Sequence, residues 1–222
     1  MRFEGPGKRR MGGLSKVRGG DPRPRLIVMA KVAVLGRVKT RLGREIGGVE
    51  ALRFYRATRR VVLLRLQRDP RFRTIVAIDP ATMRDRALPR VYQIGQVKGD
   101  LGRRMGALLA VSGTAPVILI GTDIPGVRAD PIAKAFYRLK GASAVIGPAD
   151  DGGFWLYGAR RVPRLVIPFD GVRWSAPETR ADVVRNLGAA RWAEGQTLSD
   201  VDSADDLKRL RPLVGRVVMP RV

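Results

Sequence analysis

The stretch Gly147-Pro148-Ala149-Asp150-Asp151-Gly152-Gly153 decides the fold of this chain. An apolar run at residues 143–146 precedes it, and a second one at residues 154–157 follows it. Short apolar runs bounded by glycine and proline are typical of buried strands. Two adjacent carboxylates on a glycine-rich turn can hold a divalent cation or a sugar ring, because glycines let a ligand approach the backbone closely.

Two further acidic turns lie outside this stretch. Gly121-Thr122-Asp123 directly follows an apolar run at residues 117–120, and Asp200-Val201-Asp202 lies near the end of the sequence. Three carboxylate turns in a chain otherwise rich in arginine indicate a metal-assisted site that acts on phosphates. The chain has no Cys and no His, which excludes disulfides, thiolate chemistry, a histidine base and most zinc and haem sites. Any metal is therefore held by oxygen ligands, which favours Mg²⁺ or Mn²⁺.

The composition is that of one globular domain with a large excess of positive charge. The 222 residues have a formal net charge of +23, and no apolar run is long enough to span a bilayer or to form a signal peptide, so we expect a cytoplasmic protein. A polyanionic partner such as nucleic acid or an acidic membrane is one interpretation of the charge. The basic residues are scattered over the whole sequence, which favours the other interpretation, a generally arginine-rich composition.

The first 24 residues differ in composition from the remainder. They contain six Gly, three Pro and seven Lys or Arg but few apolar residues. This composition predicts a disordered basic arm at residues 1–24, followed by a single domain at residues 25–222.

From residue 25 onward, segments with strand and helix patterns alternate. The predicted strands lie at residues 26–29, 74–78, 91–94, 117–120, 143–146 and 154–157. The predicted helices lie at residues 49–66, 100–111, 131–139 with Asp130 as N-cap, 177–187 with Pro177 in the first turn, and 204–210 after the cap Ser203. The polar loop at residues 36–48 can include a further short helix.

Strands that alternate with helices predict a three-layer α/β fold with a mostly parallel sheet. Ligands of such sheets bind at the carboxyl ends of the strands. The Asp123 turn and the loop after Met29 both follow a predicted strand, so we expect them at the same edge.

That first loop has a composition suited to phosphate. It reads Met29-Ala30-Lys31 and then Gly36-Arg37-Val38-Lys39-Thr40-Arg41-Leu42, and its backbone N–H groups and cations can surround a diphosphate. The spacing is not that of a P-loop, and solvated surface charge is the alternative interpretation. A second cluster includes Gln96 and Asp100, where Asp100 either caps the following helix or belongs to a helix start that faces the nucleotide.

Six motifs in this order resemble a bacterial family of small proteins assigned as glycosyltransferases, one branch of which is associated with arsenosugar biosynthesis. The resemblance covers about residues 25–210, and that family belongs to the nucleotide-diphospho-sugar transferase superfamily, with the Rossmann-like GT-A fold. It is also similar to the molybdenum-cofactor and phospholactate guanylyltransferases. The motifs are VKTRL at 38–42, QVKGDLGRRM at 96–105, LIGTDIP at 119–125, GPADDGGFWL at 147–156, Trp174-Ser175 and DVDSADDL at 200–207.

The resemblance implies a role for each matching position. Asp123 matches the carboxylate that binds the nucleotide-bridging metal, and Asp202 matches the position of a second metal ligand. Asp151 matches the carboxylate on the acceptor or sugar side, and we predict that it is the catalytic base. The predicted nucleotide- or phosphate-binding residues are Ala30, Lys31, Lys39, Arg41, Gln96 and Asp100, and the predicted acceptor- or sugar-binding residues are Gly152, Gly153, Trp174 and Ser175.

Some positions depart from the pattern of the family or have a structural alternative. Ala33 and Leu35 stand where the family usually has prolines, and Ser203 replaces a threonine. Asp150 is interpreted as a turn residue, and Trp174 is either a core aromatic or a platform for a sugar.

The favoured function is metal-dependent glycosyl transfer from an NDP-sugar to a small acceptor, with Mg²⁺ or Mn²⁺ as cofactor. The alternative enzyme is a nucleotidyltransferase that joins an NTP to a phosphorylated acceptor with release of pyrophosphate. A basic nucleic-acid-binding protein without catalysis is the alternative from another class.

Overall fold

The computed structural model describes residues 22–88, 90–111, 114–161 and 164–214, with residues 211–214 described by their backbone alone. The predicted arm therefore lies outside the described residues, apart from its last three positions. The strands are β1 (Arg25–Lys31), β2 (Arg73–Asp79), β3 (Tyr92–Gly95), β4 (Val117–Ile120), β5 (Ala144–Pro148), β6 (Phe154–Ala159) and β7 (Trp192–Glu194). The helices are α1 (Thr40–Ile46), α2 (Gly48–Leu66), α3 (Leu101–Val111), α4 (Ala129–Arg138), α5 (Thr179–Leu187) and α6 (Ala204–Val214).

The seven strands form one mixed sheet in the order β3-β2-β1-β4-β6-β5-β7. The pairs β1–β2, β2–β3, β1–β4 and β5–β7 are parallel, whereas β6 runs antiparallel to both β4 and β5. The chain moves outward from β1 to β3 and then returns to the other side of β1 with β4. The order of strands therefore reverses between β1 and β4, and a crevice for a ligand is expected where it reverses.

Helices cover both faces of the sheet. Leu26 and Val28 of β1 pack in a core with residues of α2 and α4, whereas Ile27 packs in the opposite core with residues of α3 and α5. This division follows from the two-residue period of a strand, whose successive side chains point to opposite faces. A third, smaller cluster joins α1, α2 and α6, and it includes the buried Val201.

The predicted α/β fold with a mostly parallel mixed sheet is confirmed. The predicted cap Ser203 is present, because its Oγ accepts a hydrogen bond from Asp206 N (3.1 Å). Of the two alternatives for Asp100, the structure shows the helix cap, because Asp100 Oδ1 accepts a hydrogen bond from Arg103 N (2.7 Å). The loop before α2 contains the short helix α1.

Three details of the prediction are wrong. The edge strand β7 was not predicted, because it is only three residues long, two partly buried and one exposed, and it has no apolar run. Asp130 is not the N-cap of α4, since the helix begins one residue earlier and the Asp130 carboxylate contacts Arg71 (2.7 Å) instead. Helix α5 begins at Thr179, so Pro177 precedes it rather than lying in its first turn.

In the part of the chain that the structure describes, no helix has the length and apolar character needed to cross a membrane.

Candidate active site

A cavity of about 830 Å³ opens at the carboxyl edge of the sheet, where the order of strands reverses between β1 and β4. Its wall includes the β1–α1 loop, the start of α3, the β4–α4 turn, the β5–β6 turn and the segment before α6. All of the predicted site residues except Gly152 line it. They are Ala30, Lys31, Lys39, Arg41, Gln96, Asp100, Asp123, Asp151, Gly153, Trp174, Ser175 and Asp202.

At the centre of this wall, the Lys39 ammonium joins the two carboxylates that were predicted as metal ligands. Lys39 Nζ lies 3.0 Å from Asp123 Oδ1 and 2.7 Å from Asp202 Oδ1, and it donates to the Val201 carbonyl oxygen at 2.6 Å. An ammonium group has three N–H donors, so these three acceptors use all of them. In this arrangement Lys39 therefore holds the carboxylates rather than offering a free donor to a phosphate.

Burial and charge act in opposite directions on Lys39. Its side chain is only 6% exposed, and this burial disfavours the charged form, but the negative charges of Asp123 and Asp202 outweigh the effect and raise the pKa of Lys39 above its ordinary value. Lys39 is consequently a charged ammonium at neutral pH. The two carboxylates, in contrast, are 47% and 46% exposed on the cavity side.

The pair Asp123 and Asp202 fits a hard divalent cation that is shared with a substrate. Only one oxygen of each carboxylate contacts Lys39, and both side chains are about half exposed to the cavity. Among the residues that the structure describes, no group of three or more acidic side chains is arranged to hold a metal. Two carboxylates suit Mg²⁺, which is typically bound by one or two carboxylates together with waters and substrate phosphates.

Asp200 is a cavity residue that the sequence analysis did not select. Burial, followed by the negative charge of Asp202, raises the pKa of Asp200 to about 6. Asp200 and Asp202 both line the cavity, whereas Val201 between them is buried in the core. The alternation of acidic and apolar residues in Asp-Val-Asp was the signal that could have identified Asp200.

The adjacent carboxylates of the β5–β6 turn have different partners. Asp151 lines the cavity, and its Oδ1 accepts a hydrogen bond from Gly153 N (2.9 Å) within the turn. The Asp150 carboxylate accepts a hydrogen bond from the Ser199 hydroxyl and lies 3.8 Å from Arg209 Nη1. Asp150 therefore links the turn to the segment that precedes α6 and to α6 itself.

Gly152 supports the turn from outside the main cavity. Its φ is +85°, and a Cβ atom at this position would lie 2.2 Å from the carbonyl oxygen of Pro177. Its own carbonyl accepts a hydrogen bond from Arg180 N (3.1 Å). The residue thus allows the β5–β6 turn to pack closely against the loop that carries Trp174 and Ser175.

The cavity also has exposed basic side chains. Lys31 and Arg41 line it together with Arg37, which the sequence analysis did not select, and all three are exposed. The backbone N–H of Lys31 donates to the Tyr55 hydroxyl (2.9 Å), and this hydroxyl donates to the Lys31 carbonyl (3.0 Å), so α2 fixes the start of the loop. Three cations on a fixed loop are suited to an anionic ligand.

Gln96 has a supporting position in the same cavity. Its side chain is buried, and Nε2 donates to the carbonyl oxygens of Ala77 (2.7 Å) and Ala30 (3.3 Å). Gln96 therefore holds the ends of β1 and β2 in place. Nearby, Asp100 caps α3, and Arg104 forms an ion pair with Asp79 at 2.7 Å.

Trp174 both packs against the core and lines the cavity. Its ring is 6.3 Å from that of Phe154 and 6.0 Å from that of Phe169, measured between centroids.

Ser175, the residue after Trp174, has a φ of +58°, and Lys39 has a φ of +47°. Among the described residues these are the only non-glycine positions with a left-handed backbone, and both line the cavity. Strained backbone of this kind often occurs at functional sites.

Comparison with known proteins finds one matching family and several structures with a similar fold. A sequence profile of the family DUF2064, described as an uncharacterized protein conserved in bacteria, matches residues 62–176, just over half of the chain. Among curated proteins no sequence matches the chain. The structure of a proposed nucleotide-diphospho-sugar transferase from Desulfovibrio desulfuricans G20 is similar, with a TM-score of 0.77, 27% identity, and coverage of 85% of this chain and 87% of that one.

More distant structures share the fold. A nucleotidyl transferase from Methanothermobacter has a TM-score of 0.55 and 16% identity, over 85% of this chain and 96% of that one. A 4-diphosphocytidyl-2C-methyl-D-erythritol synthase has a TM-score of 0.55 and 11% identity, over 87% of this chain and all of the other. These two likenesses show the fold alone, whereas the 27% identical structure from Desulfovibrio desulfuricans agrees with the prediction of a transferase enzyme.

Proposed function

The chain belongs to the DUF2064 family, and we propose that it is a metal-dependent transferase that uses a nucleotide-activated donor. The favoured reaction passes a glycosyl group from an NDP-sugar to a hydroxyl of a small acceptor. The similarity to a proposed nucleotide-diphospho-sugar transferase over most of both chains supports this reaction class. The narrower resemblances to arsenosugar-associated and guanylyltransferase proteins remain predictions.

One observation carries the proposal, namely that exposed cations and a pair of carboxylates line a single cavity. The exposed cations are Lys31, Arg37 and Arg41, and the carboxylates of Asp123 and Asp202 meet at Lys39. A donor diphosphate requires cations for its phosphates, and a divalent metal requires carboxylate oxygens. Both requirements are met within a cavity of about 830 Å³, which is large enough for a nucleotide-sized ligand.

On the donor side, Lys31 and Arg41 would bind the phosphates, with Arg37 beside them. A metal held by Asp123 and Asp202 would supply positive charge to the diphosphate as it leaves. Gln96 and Asp100 would act indirectly, since their side chains fix the ends of β1 and β2 and the start of α3.

On the acceptor side, Asp151 is the proposed base. It would remove the proton of the acceptor hydroxyl as the oxygen bonds to the sugar carbon and the bond from that carbon to the diphosphate breaks. Gly153, Trp174 and Ser175 line the same part of the site and would position the sugar or the acceptor. Gly152 would contribute by allowing the turn to pack, because it lies outside the main cavity.

Nucleotidyl transfer to a phosphorylated acceptor is the second candidate, because the same donor-binding residues would serve it. The acidic side chain of Asp151 on the proposed acceptor side would repel a phosphorylated acceptor, and this charge favours transfer to a hydroxyl. The products separate the two reactions, since glycosyl transfer releases a free nucleoside diphosphate and nucleotidyl transfer releases pyrophosphate.

The test is a thermal-shift panel of nucleotides and sugar nucleotides with and without Mn²⁺, applied to the wild type and to Asp123→Asn. We expect a metal-dependent rise in Tm with one donor for the wild type and none for Asp123→Asn, because the amide cannot provide the charge that holds a hard cation. The control is Asp205→Asn, which removes an exposed carboxylate of α6 that contacts Lys208.

Asp205→Asn should behave like the wild type. An unchanged Mn²⁺-dependent shift in Asp123→Asn would overturn the assignment of this metal ligand, and the absence of any nucleotide-induced shift in the wild type would contradict the proposed donor. Analysis of the products formed from the donor that binds then identifies the reaction.

A further inference from the structure

We propose that Lys39 makes metal binding depend on the donor, because its ammonium is the resident counter-ion of Asp123 and Asp202. This inference rests on the proposed function in one respect, the assignment of these two carboxylates as metal ligands. It assigns Lys39 a positioning role toward the metal site rather than the phosphate-binding role that its place in the basic loop predicts.

The first argument is the saturation of the ammonium. Its three N–H groups are used by Asp123 Oδ1, Asp202 Oδ1 and the Val201 carbonyl, at 2.6–3.0 Å. The Lys39 side chain is only 6% exposed, whereas the Asp123 and Asp202 side chains are 47% and 46% exposed, so the carboxylates are far more accessible from the cavity than the ammonium. A metal that approaches from the cavity therefore meets carboxylates that already share a positive charge.

The second argument is the balance of charge. The three groups in direct contact, the carboxylates of Asp123 and Asp202 and the ammonium of Lys39, carry a net charge of minus one. Among the residues that the structure describes, the nearby Asp200 forms no ion pair with Lys39. A divalent ion alone would leave this cluster with a net charge of plus one, with two cations in contact with the same carboxylates. The phosphates of a donor restore the balance, so the metal and the donor should bind with positive coupling, which is reciprocal between the two ligands.

The third argument predicts that removal of the Lys39 ammonium strengthens metal binding rather than weakening it. Other contacts keep the two carboxylates near each other, because Val201 N donates to the carbonyl oxygen of Asp123 (3.2 Å) and Val201 is buried in the cluster of α1, α2 and α6. The backbone N–H of Asp202 is also held by Asp206 Oδ2 (3.2 Å). Loss of the ammonium should therefore strengthen metal binding by removing charge repulsion more than it weakens binding by loosening the ligands.

The experiment measures Mn²⁺ binding without any donor, from the loss of the free-ion signal in electron paramagnetic resonance. The variants are Lys39→Met, Lys39→Gln and Lys39→Arg, with Lys134→Met as the control because it removes an exposed lysine of α4. We expect Lys39→Met and Lys39→Gln to bind Mn²⁺ about tenfold or more tightly than the wild type. Lys39→Arg and Lys134→Met should remain within about threefold of it.

A second titration repeats the measurement with UDP and with GDP. The nucleotide that binds should strengthen Mn²⁺ binding more in the wild type than in Lys39→Met, because the variant lacks the charge that the phosphates offset. Lys39→Gln retains hydrogen-bonding groups at the buried position and serves as the neutral variant if Lys39→Met does not fold, as judged by circular dichroism.

Unchanged or weaker Mn²⁺ binding by the folded neutral variants would overturn the proposal while leaving the proposed function intact. A lack of Mn²⁺ binding by every variant, with and without nucleotide, would overturn both.

Discussion

At the scale of single residues, neighbours in sequence differ in what they contact. Asp150 and Asp151 share one turn, yet Asp150 contacts Ser199 and Arg209 while Asp151 lines the cavity. Their order in the sequence suggested different roles, but the partner of Asp150 lies 49 residues further along the chain. No local pattern of residues reveals a contact over that separation.

This difference leads to a prediction for turnover. Asp151→Ala should lower kcat by about 10²–10⁴-fold, the usual contribution of a general base, while donor affinity stays within a few-fold because the metal and the basic loop remain. Asp150→Ala should retain kcat and lower Tm slightly, since it loses the link to Ser199. Steady-state rates and a calorimetric donor titration test this pair. Equal losses of kcat in both variants would show that the turn is misassigned.

Gly152 leads to a prediction for stability. Gly152→Ala should lower the free energy of unfolding by roughly 2–5 kcal/mol, because alanine would adopt a left-handed backbone and its Cβ would overlap the Pro177 carbonyl. Gly171→Ala is the control, since Gly171 also has a positive φ, +62°, with no neighbouring atom within 4 Å of the added Cβ. It should cost only about 1–2 kcal/mol. Equal costs in urea unfolding would mean that the close approach to Pro177 has no energetic role.

At the scale of elements, helix α5 fixes the loop that carries Trp174 and Ser175. Asp182 on this helix is inaccessible to solvent and accepts hydrogen bonds from the backbone and the guanidinium of Arg173 (2.8–3.1 Å) and from Arg185 (2.8 Å). The side-chain hydrogen bonds of Arg173 hold the pKa of Asp182 well below its ordinary value of 3.8. The charged form of Asp182 is therefore the form that stabilises this loop.

The corresponding prediction concerns stability and pH. A carboxylate whose pKa is lower in the folded state stabilises the protein above its unfolded pKa, and this contribution is lost as the pH falls toward the folded value. Asp182→Asn should therefore lower Tm by several degrees at pH 7, and its difference from the wild type should shrink below about pH 4. Asp170→Asn, an exposed position on the same loop, is the control. A constant difference from pH 7 to pH 3 would contradict the assignment.

The elements that sequence patterns predicted well are those with strong burial. Strands β1, β2 and β4 are almost fully buried, so their continuous apolar runs identified them. Strand β7 was missed because a tertiary contact, its pairing with β5, defines it. The start of α5 was missed because local hydrogen bonds of Thr179 Oγ1 to the loop before the helix define it.

At the scale of the whole molecule, the topology brings distant residues to one edge of the sheet. The prediction that the loop after Met29 and the Asp123 turn lie together depended only on both following parallel strands, and the structure places both at the cavity. The ion pair between Lys39 and Asp202 joins residues 163 positions apart. This ion pair forms because α6 packs against α1 and α2. The periodicity of one helix shows which of its faces is apolar, but not which other helices pack against that face.

The last prediction concerns the basic residues that precede the domain. Removal of residues 1–21 should leave Tm and donor binding nearly unchanged, because this segment has too few apolar residues to offset the entropy lost on ordering. The cut is placed before residue 22 because the carbonyl of Pro24 accepts a hydrogen bond from Arg73 N (2.8 Å) and so extends the pairing of β1 with β2. Deletion of residues 1–24 is the comparison, and it should lower Tm more than the shorter deletion does. Thermal unfolding and a donor titration of both truncated proteins measure this, and a loss of several degrees on removal of residues 1–21 alone would show that the segment packs on the domain.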